Sequence, residues 1–226
     1  MKNIQLNGSA LSLVLFALFP APASAGGQDR VFKCMIAELH PTQLAVGMAE
    51  VREKEHKLSK MDAIKLEKYK EANPEPTAKG PGGALYIIDH HHLALALFNI
   101  GVRETYCAQA ADYSGLETSA FWGRMEDNKW VYAYDEYGGG PRPYSSLPAA
   151  VSGLKDDPYR SLAGAVRNAG GYDKVDVPFA EFKWADYFRD KFSRADLDKN
   201  FSRCVKKAVK AAHLSGASSL PGWHGQ

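Results

Sequence analysis

Beyond residue 25 the chain has no apolar run approaching the ~20 residues that a membrane-spanning helix needs. Several catalytic signatures are missing as well. There is no GxSxG nucleophile elbow, no P-loop, no GxGxxG dinucleotide turn and no HExxH pair. Gly138-Gly139-Gly140 runs straight into Pro141 and fits none of these patterns. Cysteine is scarce, with only Cys34, Cys107 and Cys204, and none has CxxC or zinc-finger spacing. One disulfide would leave a thiol over, and three pairings stay open. An excess of either charge is also lacking: 28 Lys and Arg against 26 Asp and Glu give +2. That excludes strong overall attraction to polyanions. The one local imbalance lies between Arg189 and Lys210, where eight basic residues face three aspartates. It reads as a solvated helix face.

The N-terminus has a short positive start at Lys2, an apolar stretch over 11–19, breaks at Pro20 and Pro22, and then Ala23-Ser24-Ala25. This is the pattern of a secretory signal peptide cut after Ala25, so the expected destination is periplasmic or secreted. Without Lys2 the net charge is +1. Residues 26–226 suffice for one globular domain with a sizeable core, and no stable membrane insertion is expected after cleavage.

The order of elements predicts an α/β (α+β) fold with a mainly helical C-terminal region. A strand is expected over 31–39, ending near Pro41, which cannot donate to a ladder. Weakly amphipathic helices follow over 44–58 and after Ser59, a candidate N-cap. Ala84 to Ile88 reads as a short buried strand. Asp89 is the natural cap of a helix carrying Leu93, Leu97 and Ile100 on one face, and Gly101 suits the left-handed position after its end. Thr105 to Ala110 closes a strand–helix–strand unit. Later, residues 121–134 are aromatic-rich and are expected to include a strand or hairpin. Asp157-Pro158 should cap a helix reaching Gly170, and two more helices are expected over 179–192 and 197–213. The division is therefore 1–25 leader, 26–115 core and 116–226 helical extension. No internal repeat or low-complexity block is present.

The chemistry concentrates at Asp89-His90-His91-His92, where a strand hands over to a helix. Free backbone N–H groups converge at such a terminus and favour anions. Consecutive helical residues are rotated by about 100°, so the three rings cannot all face one site. The helix dipole disfavours imidazolium, and a neutral ring there can serve as general base, hydrogen-bond donor or metal ligand. A divalent metal held by His91, Asp89 and His40 is suggested by ligand type alone, since the spacing matches no metal motif. Elsewhere Asp157, Tyr159, Arg160, Glu181, Trp184, Asp186 and Arg189 form a second polar group whose simpler reading is capping, packing and ion pairs.

Leu39-His40-Pro41-Thr42-Gln43, then Tyr86-Ile87-Ile88-Asp89-His90-His91-His92-Leu93 and Gly101, resembles the ParB/sulfiredoxin-like superfamily. More closely it resembles the ParB-like nuclease family of exported bacterial proteins. Asp157 to Ala163, Phe179 to Ala185 and Leu220-Pro221-Gly222 extend the likeness over most of the chain. The resemblance implies a ParB/sulfiredoxin-like core and phosphodiester or phosphoryl hydrolysis outside the cytoplasm. It makes Asp89, His91 and His92 the catalytic candidates, with His40, Gln43 and His90 binding the substrate. The implied partner is a phosphate-containing small molecule or a nucleic acid. Two departures stand out: His90 replaces a glycine, and Leu93 stands where a phosphate-holding arginine is usual. The sulfiredoxin-type cysteine is also missing. A ligand- or partner-binding module without catalysis and a nucleotide-dependent phosphotransferase are the competing readings.

Overall fold

The structure, a computed structural model, describes residues 30–225, so the expected leader and its cleavage site lie outside the described residues. Strand β1 (Arg30–Met35) does not run on to Leu39 as the sequence suggested. A 3-10 turn over Ile36–Glu38 breaks it, and β2 (Leu39–Pro41) starts afresh. Two residues, β3 (Ala45–Val46), precede helix α1 (Met48–Leu58). The helix therefore begins four residues later than its apolar pattern implied. Helix α2 (Ala63–Ala72) is capped by Asp62, whose carboxylate accepts from the Lys65 amide, and not by Ser59. Ser59 instead closes α1 by donating its amide to the Glu55 carbonyl.

Strands β4 (Glu75–Lys79) and β5 (Leu85–Ile87) lead to helix α3 (His91–Asn99) and strand β6 (Glu104–Asp112). Gly101 adopts φ 82°, the left-handed geometry expected after this helix. The five-stranded sheet has the order β1-β6-β4-β5-β2 and mixes parallel and antiparallel pairs. On one face, Ile36, Leu39 and Ile87 pack with Val51 and Leu58 of α1 and Leu93 to Leu97 of α3. Successive strand residues point to opposite faces. Ala78 accordingly meets Phe121 and Met125 in a smaller cluster.

Those two residues belong to helix α4 (Thr118–Asp127). The aromatic stretch read as a strand or hairpin is therefore helical in its first half. Phe121 and Met125 are four apart and share one buried face, a spacing that side-chain type alone obscured. Beyond α4 come β7 (Lys155–Asp156) and helices α5 (Pro158–Asn168), α6 (Ala180–Arg189) and α7 (Arg194–Ala212). Asp157 caps α5 with Pro158 at its first position, as expected, accepting from the Tyr159 amide at 2.9 Å. These three helices close over Trp184, Phe188, Leu162 and Leu197.

The helical region is stitched to the sheet region where β3 and β7 pair in parallel. A Cβ on Gly47 would stand 2.7 Å from the Ser161 amide nitrogen, so only glycine allows this approach. Ser161 Oγ accepts from the Ala49 amide and Asp156 from the Met48 amide, both at 3.1 Å.

Of the three pairings open in the sequence, the structure has Cys34–Cys107, which staples β1 to β6 across 73 residues. Cys204 is left as a buried thiol. Replacing both bridged cysteines by alanine should lower unfolding stability by about 2–4 kcal/mol, measured by urea titration. Reductant should then have no further effect, and a thiol reagent should label Cys204 only after unfolding.

Candidate functional site

The site is built where β5 turns into α3. Ile88 keeps the sheet pairing by donating its amide to the Pro76 carbonyl. Asp89 is exposed, and its Oδ1 accepts from the His90 amide at 2.7 Å. Asp89 is therefore one residue short of the expected N-cap; that position belongs to His90, which makes no side-chain cap. The His90 carbonyl instead starts the helix by accepting from the Leu93 and Ala94 amides. To make the turn, His90 takes φ 62° and ψ 16°. A left-handed conformation costs a non-glycine residue about 1–2 kcal/mol. A glycine at position 90 would make this turn without strain, and in this chain the strain is retained together with an imidazole. Strain of this kind concentrates at functional sites.

The other two histidines face inward. His91 is 2% exposed, and its Nε2 accepts from the Thr42 amide at 3.1 Å. The Thr42 hydroxyl donates to the Ile87 carbonyl at 2.8 Å, tying the end of β2 to β5. His92 is 8% exposed, and its Nε2 accepts from the Gly47 amide at 3.0 Å. A backbone N–H can only donate, so both rings are held with the proton on Nδ1. Protonating either Nε2 would break its bond and place a cation in the core. Burial accordingly depresses His91 to a pKa of about 4 and His92 to about 3. Asp89 opposes the effect at His91; Arg160 reinforces it at His92.

This geometry separates the sequence candidates. His90 and Asp89 stand at the mouth of the junction, where the His90 side chain is 40% exposed. His91, the expected base or metal ligand, is buried with its Nε2 engaged by the Thr42 amide and its Nδ1 unpartnered among the described residues. His92 is turned towards the Gly47 loop and the Glu50–Arg160 pair, 3.6 Å from Glu50 Oε2. The His40 ring instead lies tilted against Tyr86, with centroids 5.1 Å apart. Gln43 is buried beside an isolated parallel bridge to Tyr132. Leu93 is buried in the core, so nothing at that position reaches a phosphate. In the second polar group, Asp157 pairs with Arg189 at 2.9 Å and Glu181 with Arg167, while Trp184 is core.

One carboxylate was absent from the sequence candidates. Glu75 is fully buried at the start of β4, across from Asp89 by continuation of the β4–β5 register. Its Oε2 lies 4.0 Å from His90 Nδ1. Neither Glu75 oxygen, nor His90 Nδ1, nor His91 Nδ1, has a hydrogen-bond partner among the described residues. Burial, and then the charge of Asp89, push the Glu75 carboxyl well above the usual carboxylate range. Flanked by Pro74 and Pro76, it offered no periodicity and no motif by which sequence reasoning could find it. Among the described residues no three His, Cys, Asp or Glu side chains are gathered as a metal site requires. The donor set does not fit the metal considered from the sequence.

Two outcomes follow. His90→Gly should leave unfolding free energy within about 1 kcal/mol of wild type, on the stable side, because glycine tolerates the left-handed turn. His91 and His92 stay neutral in the native state below the ordinary histidine value of 6.5. Between that value and about pH 4 the unfolded chain takes up protons that the native state refuses. Stability therefore falls with falling pH by up to about 1.4 kcal/mol per unit for each histidine. His92→Gln, whose amide oxygen can accept from Gly47, should flatten this limb in urea titrations run from pH 7 to pH 4.

Residues 32–190 match the family model described as "Putative ParB-like nuclease". The crystal structure of protein Atu1540 from Agrobacterium tumefaciens superposes with a TM-score of 0.81 at 38% sequence identity. The match covers 87% of this chain and 97% of that one. No curated protein matches the chain. The mixed sheet, the strand–helix junction and the match over residues 32–190 agree: the chain belongs to the ParB-like nuclease family.

Proposed function

We propose that this protein hydrolyses a phosphodiester or related phosphoryl bond at the β5–α3 junction and does so outside the cytoplasm. The observation that carries the reading is the division among the three histidines. His90 alone presents a half-exposed imidazole, and it stands beside an exposed carboxylate at a helix N-terminus. The first helical amides and the positive end of the helix dipole suit a phosphoryl oxygen. Asp89 would accept a proton from the attacking water, and His90 would meet the leaving oxygen. His91 contributes a fixed Nδ1–H donor behind them. His92 holds the Gly47 loop to the first turn of α3.

Export is supported by the leader pattern of the sequence and by the Cys34–Cys107 bridge, since disulfides persist mainly in oxidising compartments. Nucleotide-dependent phosphotransfer fits less well, because Leu93 replaces the guanidinium that would grip a nucleotide phosphate. The same replacement is what favours a module that binds a phosphate ligand without turning it over.

The test is hydrolysis of bis(4-nitrophenyl) phosphate and of short single- and double-stranded DNA by the purified protein. His90→Ala should lower kcat by about 100-fold or more, the usual contribution of a positioned acid or base. Asp89→Asn should lower it as well. His91→Ala should first lose stability, since it leaves the buried Thr42 amide without its acceptor. Equal rates for wild type and His90→Ala would refute the assignment, and binding without turnover would establish the module.

A further inference from the structure

Glu75 has no structural reason to be an acid. It is fully buried, neither oxygen has a hydrogen-bond partner and no Lys or Arg is within salt-bridge distance among the described residues. A buried carboxyl left this way costs stability, and an apolar residue would pack there without penalty. Its Oε2 lies 4.0 Å from the orphaned Nδ1 of His90, the residue that holds the strained turn. A shift of about 1 Å would bring the two to hydrogen-bond length. Two unsatisfied atoms thus face each other across the β4–β5 pair, one in the core and one on a ring that reaches the surface.

We infer that Glu75 is the proton-holding partner of His90, its carboxylic acid donating to Nδ1 so that Nε2 carries a proton on the exposed side of the ring. This deepens the phosphodiester reading and rests on it for the chemistry. As the P–O bond to the leaving group breaks, the leaving oxygen takes the Nε2 proton and Nδ1 takes the Glu75 proton. The attacking water loses its own proton to Asp89 as its oxygen bonds to phosphorus. Solvent then returns a proton to Glu75 through the imidazole. The relay lets an uncharged ring act as a general acid at a helix N-terminus, where a resident cation is disfavoured.

The surroundings suit an acid that keeps its proton until called on. Burial and Asp89 both hold the Glu75 carboxyl in its neutral form, and only the more distant Lys54 on α1 opposes them. Tyr69 on α2 also faces it and contributes no charge. His90 itself is flanked by Asp89 and by His91, whose neutral ring is locked by Thr42. Glu75 is a positioning residue in this scheme, because it acts only through His90.

The experiment compares a substrate that needs a general acid with one that does not. Thymidylyl-thymidine has an alkoxide leaving group, whereas bis(4-nitrophenyl) phosphate has a stable phenolate. Glu75→Gln, which cannot pass a proton on, should lose at least tenfold more kcat on the dinucleotide than on the nitrophenyl ester. KM should change little, and Glu75→Asp should recover part of the loss. Equal losses on both substrates would show a merely structural role and overturn the inference. Independently of activity, long-range proton–nitrogen NMR of the 15N-labelled wild-type protein should find His90 as the Nε2–H tautomer at neutral pH. His91 and His92 should appear as Nδ1–H. An Nδ1–H or doubly protonated His90 would overturn the inference even if the variant fails to fold. Should the wild type hydrolyse neither substrate, the functional reading falls, and the tautomer still decides the dyad.

Discussion

The arrangement depends on two backbone amides that end in the core on imidazole nitrogens. Thr42 donates to His91 and Gly47 to His92, so the first turn of α3 is fastened to the segment joining β2 to α1. Each bond satisfies a buried N–H that would otherwise cost roughly 1–3 kcal/mol. It also forces its ring into one tautomer and keeps it neutral. The same segment carries the pairing of β3 with β7 and the close approach of Gly47 to Ser161. One pair of side chains therefore holds the helix mouth and the attachment of the helical region at once.

That structural duty explains how three adjacent histidines divide. Two are bound inward and their low pKa values follow from burial. The third is pushed outward by the left-handed turn. A glycine at position 90 would make the same turn without strain, so the imidazole has a cost that the backbone does not require. Retained strain, a half-exposed ring and an unpartnered buried acid behind it converge on one place. That coincidence is the support for the proton-transfer role proposed above.

Much of the fold was legible because local signals agreed with the tertiary result. The Asp157-Pro158 start of α5, Gly101 after α3 and the short apolar strand before Asp89 all combine capping or turn chemistry with a clean pattern. Where only side-chain type was available the reading was partial: the aromatics after Phe121 suggested a strand or hairpin, yet Phe121 and Met125 lie one helical turn apart and only Tyr132 makes an isolated bridge. The start of α1 was missed because Ala45 and Val46 are held extended by backbone pairing with β7, a partner more than 100 residues away. At the site, the Asp89–His92 run announced itself, but its internal roles did not.

The sequence alone determined that a ligand-rich strand–helix junction would exist, a local matter of residue type and spacing. The family resemblance added that His90 stands at a position suited to glycine and Leu93 where an arginine is usual. The tertiary structure alone decided which nitrogen of which histidine is free, because that depends on amides contributed by Thr42 and Gly47 nearly 50 residues earlier. It alone decided which cysteines pair, since β1 and β6 become neighbours only in the sheet. It alone brought Glu75 to His90. Hydrogen bonding and burial are properties of what surrounds an atom, and those surroundings come from distant parts of the chain.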